Sequence, residues 1–371
     1  MSAVPDLLYS DVEEELRRSV RSLLEDRADA ATVLRRVETA QPYDPGLWRT
    51  LATEVGVAAL PIPEEHGGAG ASWRETAVVA EELGRAVAPV PFLGSAVLAT
   101  RALLSCNAVD LLGKLASGEI TVTPALPLSA APGEAFRSAG RGGGTAVTAT
   151  VTSVSEALVA DHFLVPVTDD DGPALYLLDA TVATVEPAVS MDLTRPVSTV
   201  TFDAAEGIRL ASGPAAEAAL NEALLTGAAM LASEQLGVAE RCLEMTIAHL
   251  TTRYQFGRPV GSFQALKHRL ADLWVSITQA RAAARYAAAS VSGDGRDAPI
   301  AVAVAQAHCS TVAVKAAEEC VQMHGGIGFT WEHPAHLYLK RAKTAAVALG
   351  TADHHRWSLV ELADLPPALQ R

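Results

Sequence analysis

The spacing of apolar residues changes period twice along this chain, and that change restricts its fold more than any other feature. Apolar residues recur at helical spacing through the first third. Near Gly118 the pattern switches, and from Ile120 to about Leu210 the chain is rich in Val and Thr. Short runs such as TAVTATVTSV, HFLVPVTD, ALYLLDA and STVTFDA are divided there by turn residues, notably TDDDGP at 168–173. Such runs are the mark of strands. From Pro214 the helical period returns and persists. The order helices, small β unit, helices predicts a mainly α protein with a central β domain. The boundaries read as an N-terminal helical domain at 1–118, a barrel- or sandwich-like middle β domain at 119–212, and a C-terminal four-helix bundle at 213–371.

Local signals refine this outline. Ser10 with Glu13 and Glu14 caps a helix expected to run to about Leu34, and a second helix spans Trp48 to Val55, ending at Gly56. LPIPEEHGGAGAS (Leu60–Ser72) is a loop. ETAVVAEELGRAV restarts a helix that stops before Pro89, and another runs from about Phe92 to Leu104. RGGG at 141–144 leads into a strand pattern, so it reads as a hairpin connection and not as a phosphate loop. In the last third, Leu236, Ala239, Leu243, Ile247 and Leu250 step by helical turns, as do Leu266, Leu270, Leu273 and Ile277. A third helix spans about Pro299 to His324.

Composition sets limits on partners. Hydrophobic residues at 49% and charged residues at 19% predict a packed core, and a formal charge of −14 argues against nucleic acid and anionic membranes. The longest basic cluster, Lys340, Arg341 and Lys343, reads as a helix surface or a local phosphate contact. Cys106, Cys242, Cys309 and Cys320 have no pairing spacing and read as reduced, mostly buried thiols. The N-terminus, MSAVPDLLYSDVEEELRRSV, is acidic and amphipathic, unlike a signal peptide. No apolar run reaches the ~18 residues of a membrane span, so the cytoplasm is the expected compartment.

Two segments could carry chemistry. In RYQFGRPVGSFQALKHRLADLW, a helix ends near Arg253, a Gly-Arg-Pro turn follows, and a new helix opens with Gln264 in its first turn. An Arg, two aromatics, two glutamines and a helix start suit a planar, phosphorylated ligand, although an ordinary helical corner stapled by Phe256 and Phe263 accounts for the same residues. In VQMHGGIGFTWEHPAHLYLKRAK, Gly325, Gly326 and Gly328 end the long helix and let a ligand approach the backbone, with Gln322 and His324 beside the turn.

Together, in this order, these segments resemble the acyl-CoA dehydrogenase family. LPIPEEHGGAG with EELGRAVAPVP is similar to that family's N-terminal domain, and MDLTRPVSTVTFD (Met191–Asp203) to the end of its β domain. The resemblance implies FAD between the β domain and the bundle, with its adenosine diphosphate partly held by a neighbouring subunit. On that footing Arg253, Gln255, Phe256 and Gln264 contact the diphosphate and adenine side, Gln322, Gly325 and Gly326 contact the same half, and Thr351 sits close by. It also implies an acyl-CoA substrate, a homo- or hetero-oligomer with a homologous subunit, and an electron-transfer protein that reoxidises the flavin. Family members remove an α-proton with a carboxylate while the flavin accepts a hydride from the β-carbon.

The chain departs from the family at the base. The usual Glu-Gly-Thr motif reads Leu349-Gly350-Thr351, and the other seat, on the first bundle helix, falls near Gly227, where TGAAM has no carboxylate. The segment TPALPLSAAPGEA (Thr123–Ala135) replaces the usual ring-binding motif, and no Trp lies between Trp73 and Trp274. Asp353 stands where a Gln near the cofactor is usual. Glu234, Glu332, Asp353, His354 and His355 are the alternative bases, each with a bland reading: Glu234 starting a helix turn, Glu332 and His333 bracing the turn before Pro334, and His354 with His355 on a solvated helix face. His333 and His336 complete no metal set, so no metal is expected. Two functions follow: FAD-dependent α,β-dehydrogenation of an acyl-CoA using an unconventional base, or a non-catalytic partner that completes the FAD site of a homologous catalytic subunit.

Overall fold

The computed structural model describes residues 6–293 and 296–364, so Met1–Pro5 of the N-terminal stretch read above lie outside the described residues. The first third is helical. α1 (Asp11–Arg27) opens with a reciprocal capping box between Ser10 and Glu13. The expected single helix to Leu34 is two: Asp29 accepts the Thr32 N–H at 2.8 Å and so starts α2 (Ala30–Val37) afresh. α3 (Pro45–Arg49) passes into a π-helical turn at Thr50–Glu54. After the loop, α4 (Trp73–Ala86) is capped by Ser72 and Glu75. A wholly buried π-helical stretch, Phe92–Ala99, continues into α5 (Thr100–Ser105), and α6 (Val109–Ala116) completes the domain.

Seven strands follow: β1 (Val122–Pro124), β2 (Gly140–Gly143), β3 (Ala146–Ser155), β4 (His162–Asp169), β5 (Gly172–Asp179), β6 (Thr184–Pro187) and β7 (Val197–Ser212). The RGGG run is indeed in a hairpin, β2 pairing antiparallel with β3. Because β5 pairs with both β7 and β4, the circuit β4-β2-β3-β7-β5 closes on itself, giving a barrel-like sheet. Alternation along β3 points Val147, Ala149 and Val151 inward, where Phe163 and Phe202 meet edge to face at 5.6 Å.

The bundle comprises α7 (Pro214–Thr252), a small hairpin of β8 (Tyr254–Gln255) and β9 (Arg258–Pro259), then α8 (Gln264–Ser292), α9 (Ala298–His324), α10 (Ala335–Ala345) and α11 (Ala352–Leu362). α4 lies directly on α7, and two glycines permit it. A Cβ on Gly84 would strike the Glu234 carbonyl, and one on Gly237 would strike the Glu81 carbonyl. One apolar core runs from α3 and α4 through Leu98 and Leu128 into α7, α9 and Leu349. Contrary to the expectation from the sequence, one helical stretch, Ala298–Phe329, is long and apolar enough to cross a membrane; 67% of its apolar window is buried inside the fold. Its hydrophobicity comes from its place at the centre of the bundle.

Candidate functional site

The two places where the resemblance seats a catalytic glutamate come together in the fold. Gly227 lies on α7 and Leu349 in the turn after α10, and a Cβ built on Gly227 would stand 3.2 Å from the Leu349 Cδ1 and in collision with Leu98. Leu349 is buried with φ +52, a left-handed conformation uncommon for a residue with a side chain. Its N–H donates to the Leu128 carbonyl at 2.8 Å, and the Leu128 N–H donates to the Ser153 carbonyl at 2.9 Å. One residue's backbone thus ties the end of β3 to the turn after α10. Leu126, Leu128 and Ala130 from the 123–135 segment join Leu98 and Leu349 in the same core. Hydrocarbon and hydrogen-bonded backbone fill the space immediately around Leu349, and beyond it a cavity of about 260 Å³ remains between the 126–137 segment and α7, lined by Leu126, Ala130, Phe136, Leu220 and Leu224.

Close by lies a buried ionic cluster. Arg341 donates to Asp192 at 2.7 Å, to Glu234 at 3.2 Å and to the Thr194 hydroxyl at 2.6 Å, and Arg195 pairs with the other Glu234 oxygen. Burial opposes the charge on Glu234, but Arg195 and Arg341 outweigh it and hold its carboxyl below the ordinary value; Arg341 and Thr194 do the same for Asp192. A carboxylate held ionised by two guanidiniums is a poor proton acceptor, so Glu234 is a structural ion and not a base. It lies in the middle of α7, not at the start of a turn. Arg341, expected on a helix surface, is among the most deeply buried side chains in the protein. Glu156, also buried, accepts the Gly94 N–H at 2.8 Å, and burial pushes its carboxyl up to about 7.

Of the remaining alternatives, His355 and Asp353 have other partners, and so has His333 beside Glu332. His355 is not solvated: it is buried, bonds the Leu349 carbonyl at 2.9 Å, and burial pushes its pKa down to about 4. His333 braces its turn by accepting the Ala335 N–H at 3.2 Å, and the exposed Asp353 is paired with Arg356 at 2.7 Å.

A second site is open. α7 ends in a two-residue hairpin turn whose central residues, Phe256 and Gly257, both have positive φ, +53 and +74. That turn swings the Phe256 ring out to 89% exposure, edge-on to Phe263 at 6.1 Å, and Arg258 lies over the Phe263 face at 3.9 Å. Beside it, α9 ends at Gly325, with φ +65, and a Cβ on Gly325 or Gly326 would meet nothing within 4 Å. Between the two ends is a cleft of about 640 Å³ lined by Arg253, Gln255, Gln322, Gly325 and Gly326, five of the eight residues expected to hold the cofactor. Its other lining residues include His249, His324 and His333 and no carboxylate. The exposed Gln264 and Phe256 stand at the same corner outside the lining, whereas Thr351 caps α11 beside Leu349. His249 is absent from the sequence reading; its signal was its position one helical turn before Arg253, on the same face of α7. An open cleft with a guanidinium, two amides and bare glycine backbone fits the adenosine diphosphate half of FAD.

Helical domain, closed β domain and bundle, with a dinucleotide-sized corner at the bundle's end, are the architecture of an FAD-dependent flavoprotein dehydrogenase. The acyl-CoA dehydrogenase N-terminal domain matches residues 10–114, and the acyl-CoA dehydrogenase C-terminal domain matches residues 217–361. The acyl-CoA dehydrogenase IpdE2 of Mycolicibacterium smegmatis is 38% identical over 341 residues, covering 92% of this chain and 95% of the relative. Among solved structures, the ChsE4-ChsE5 complex from Mycobacterium tuberculosis superposes with a TM-score of 0.86 at 30% identity, covering 98% of this chain and 100% of the matched one. A steroid acyl-CoA dehydrogenase variant, Tcur3481-Tcur3483, gives a TM-score of 0.84 at 29% identity, covering 95% and 98%. This chain belongs to the acyl-CoA dehydrogenase family. The family's cofactor is FAD and its activity the α,β-dehydrogenation of acyl-CoA thioesters.

Proposed function

We propose that this chain is a non-catalytic partner subunit, which pairs with a homologous catalytic chain and completes that chain's FAD site from its own Arg253 corner. The observation that carries this reading is the contrast between the two sites. Leu349, Gly227, Leu98 and Leu128 leave no carboxylate base and fill its two familiar seats with hydrocarbon, while the corner cleft stays open at the bundle's end. Arg253, Gln255 and Gln322 then bind the diphosphate and adenine half of the partner's FAD, with Gly325 and Gly326 offering backbone. Ring, base and acyl-CoA belong to the partner. The name of the ChsE4-ChsE5 complex, one chain of which is 30% identical to this one, supports such a pairing, and that of the Tcur3481-Tcur3483 enzyme supports a steroid-derived acyl group. The assembly works in the cytoplasm and passes electrons to an electron-transfer protein.

The test is co-expression. The chain is purified alone and together with a homologous chain of the same organism that keeps the Glu-Gly-Thr glutamate, and flavin absorbance and acyl-CoA oxidation are read for both. Flavin and oxidation in the mixture only are expected. Bound flavin and turnover by the lone chain would defeat the proposal.

A further inference from the structure

Three imidazoles stack along one wall of the corner cleft. His249 comes from α7, His324 ends α9, and His333 lies in the turn before α10; adjacent ring centroids are 4.4 Å apart in both steps. The rings are tilted by 32° and 47° to their neighbours, and among the described residues no group of three His, Cys, Asp or Glu side chains is placed to hold a metal. The cleft's chemistry is that of an anion site.

The three rings are held differently. His333 accepts the Ala335 N–H on its Nδ1, so it stays neutral and offers only an N–H from the other nitrogen. His324 is buried with its Nδ1 2.7 Å from the Cys320 carbonyl and 3.6 Å from the Cys320 sulfur. Although burial works against its charge, these Cys320 contacts raise its pKa. His249 is half-buried, and burial, then His324, then Arg253 lower its pKa. The charged and titratable groups around the column are Cys242 from α7, Arg253 just past its end, Cys320 from α9, and His336 with Lys340 behind it from α10; Glu38 acts on His336. None of the residues that line the cleft is a carboxylate. Among the described residues His249 therefore meets no carboxylate in the cleft, and an anion there would supply a counterion.

Resting on the reading that this corner receives a partner's FAD, we infer that His249 is a proton-coupled positioning residue for the diphosphate. FAD's diphosphate carries two negative charges, and Arg253 meets one of them. When the diphosphate enters the cleft, His249 takes up a proton from solvent and meets the other. Because His249 gains the proton only in the bound state, FAD affinity rises as pH falls from the bound-state pKa toward the lower free-state pKa.

The experiment uses the co-purified complex stripped of flavin and titrated with FAD by flavin fluorescence, at about pH 6 and about pH 8.5, on either side of an ordinary imidazole pKa. Affinity is expected to fall about three- to fivefold across that interval, part of the tenfold limit for one pKa moved by one unit, because the free-state pKa lies below the ordinary value. Calorimetry in two buffers of different ionisation enthalpy is expected to show proton uptake on binding at the lower pH. His249→Gln reduces both the slope and the uptake, leaving only what His324 contributes, and His333→Gln keeps them. If His249→Gln fails to assemble on size exclusion, His249→Phe keeps a ring in the stack and answers the same question. A pH slope unchanged in an assembled His249 variant overturns the inference while leaving the corner's role intact. An Arg253→Ala complex that binds FAD as tightly as wild type at both pH values instead overturns the partner reading, and the inference with it.

Discussion

Gly227 and Leu349, distant in sequence, face each other across the contact between α7 and the turn after α10, with a Cβ on Gly227 falling 3.2 Å from the Leu349 Cδ1. Two alternative seats for a catalytic glutamate are therefore one location reached from two directions. In this chain hydrocarbon fills that location from both sides.

Restoring a carboxylate there is expected to cost stability without giving activity. Leu349→Glu sets an acid against Leu98 in the core, where burial raises its pKa and destabilises the fold by about 3 kcal/mol. Urea denaturation at neutral pH measures the cost, and a dye-coupled acyl-CoA assay on the lone chain measures the activity. Oxidation above background would show that a base was all the chain lacked.

The Arg341 cluster predicts both a mutational cost and an acid limit. Arg341→Met leaves Asp192 and Glu234 buried with only Arg195 between them, at a cost of about 3–5 kcal/mol near pH 7. Both carboxyls have folded pKa values below their ordinary ones. Their contribution is thus complete above the unfolded carboxylate range and disappears as pH falls through the lowered folded values. Denaturation midpoints measured from pH 7 into acid should fall less steeply in the variant than in the native chain.

Glu156 predicts the opposite slope. Its carboxyl is raised from 4.5 to about 7, so the folded state favours the proton and is most favoured below the unfolded value. Stability then decreases as pH climbs from 4.5 to about 7 and levels off beyond. Glu156→Gln keeps an oxygen to accept the Gly94 N–H and removes the titration. Its stability curve should be flat across that window, and an unaltered slope would assign the effect to another group.

Arg253 offers the most direct test of the corner. A lost charge-assisted contact to the diphosphate is worth about 1.5–3 kcal/mol, so Arg253→Ala should weaken FAD binding by the complex about 10- to 100-fold. Flavin per assembled pair, read from absorbance against protein, should stand at one in the native complex, since the proposed pairing takes its ring site from the catalytic chain alone. Two flavins per pair would show that this chain binds a ring of its own and would overturn the partner reading.

The helix, barrel and bundle order was legible because it rests on local periodicity. TDDDGP marked the β4–β5 hairpin, and the glycines after His324 marked the end of α9. The break at Asp29 was missed because a single side-chain cap interrupts an otherwise continuous amphipathic pattern. At the site, Arg253 and Gln322 could be linked from sequence only through resemblance to a family, and their common cleft is a product of how α7 and α9 end side by side.

What the sequence by itself determined is the kind and order of the elements, and the absence of a carboxylate at either familiar base position, since both are properties of neighbouring residues or of single positions. Only the tertiary structure decided that Arg341 and Glu234 are core ions, that His355 is buried, that Leu128 closes the space beside Leu349, and that His249 joins a column with His324 and His333. Each of these depends on side chains brought together from separate elements, and the pairing of charges or rings across such distances leaves no periodic trace along a chain.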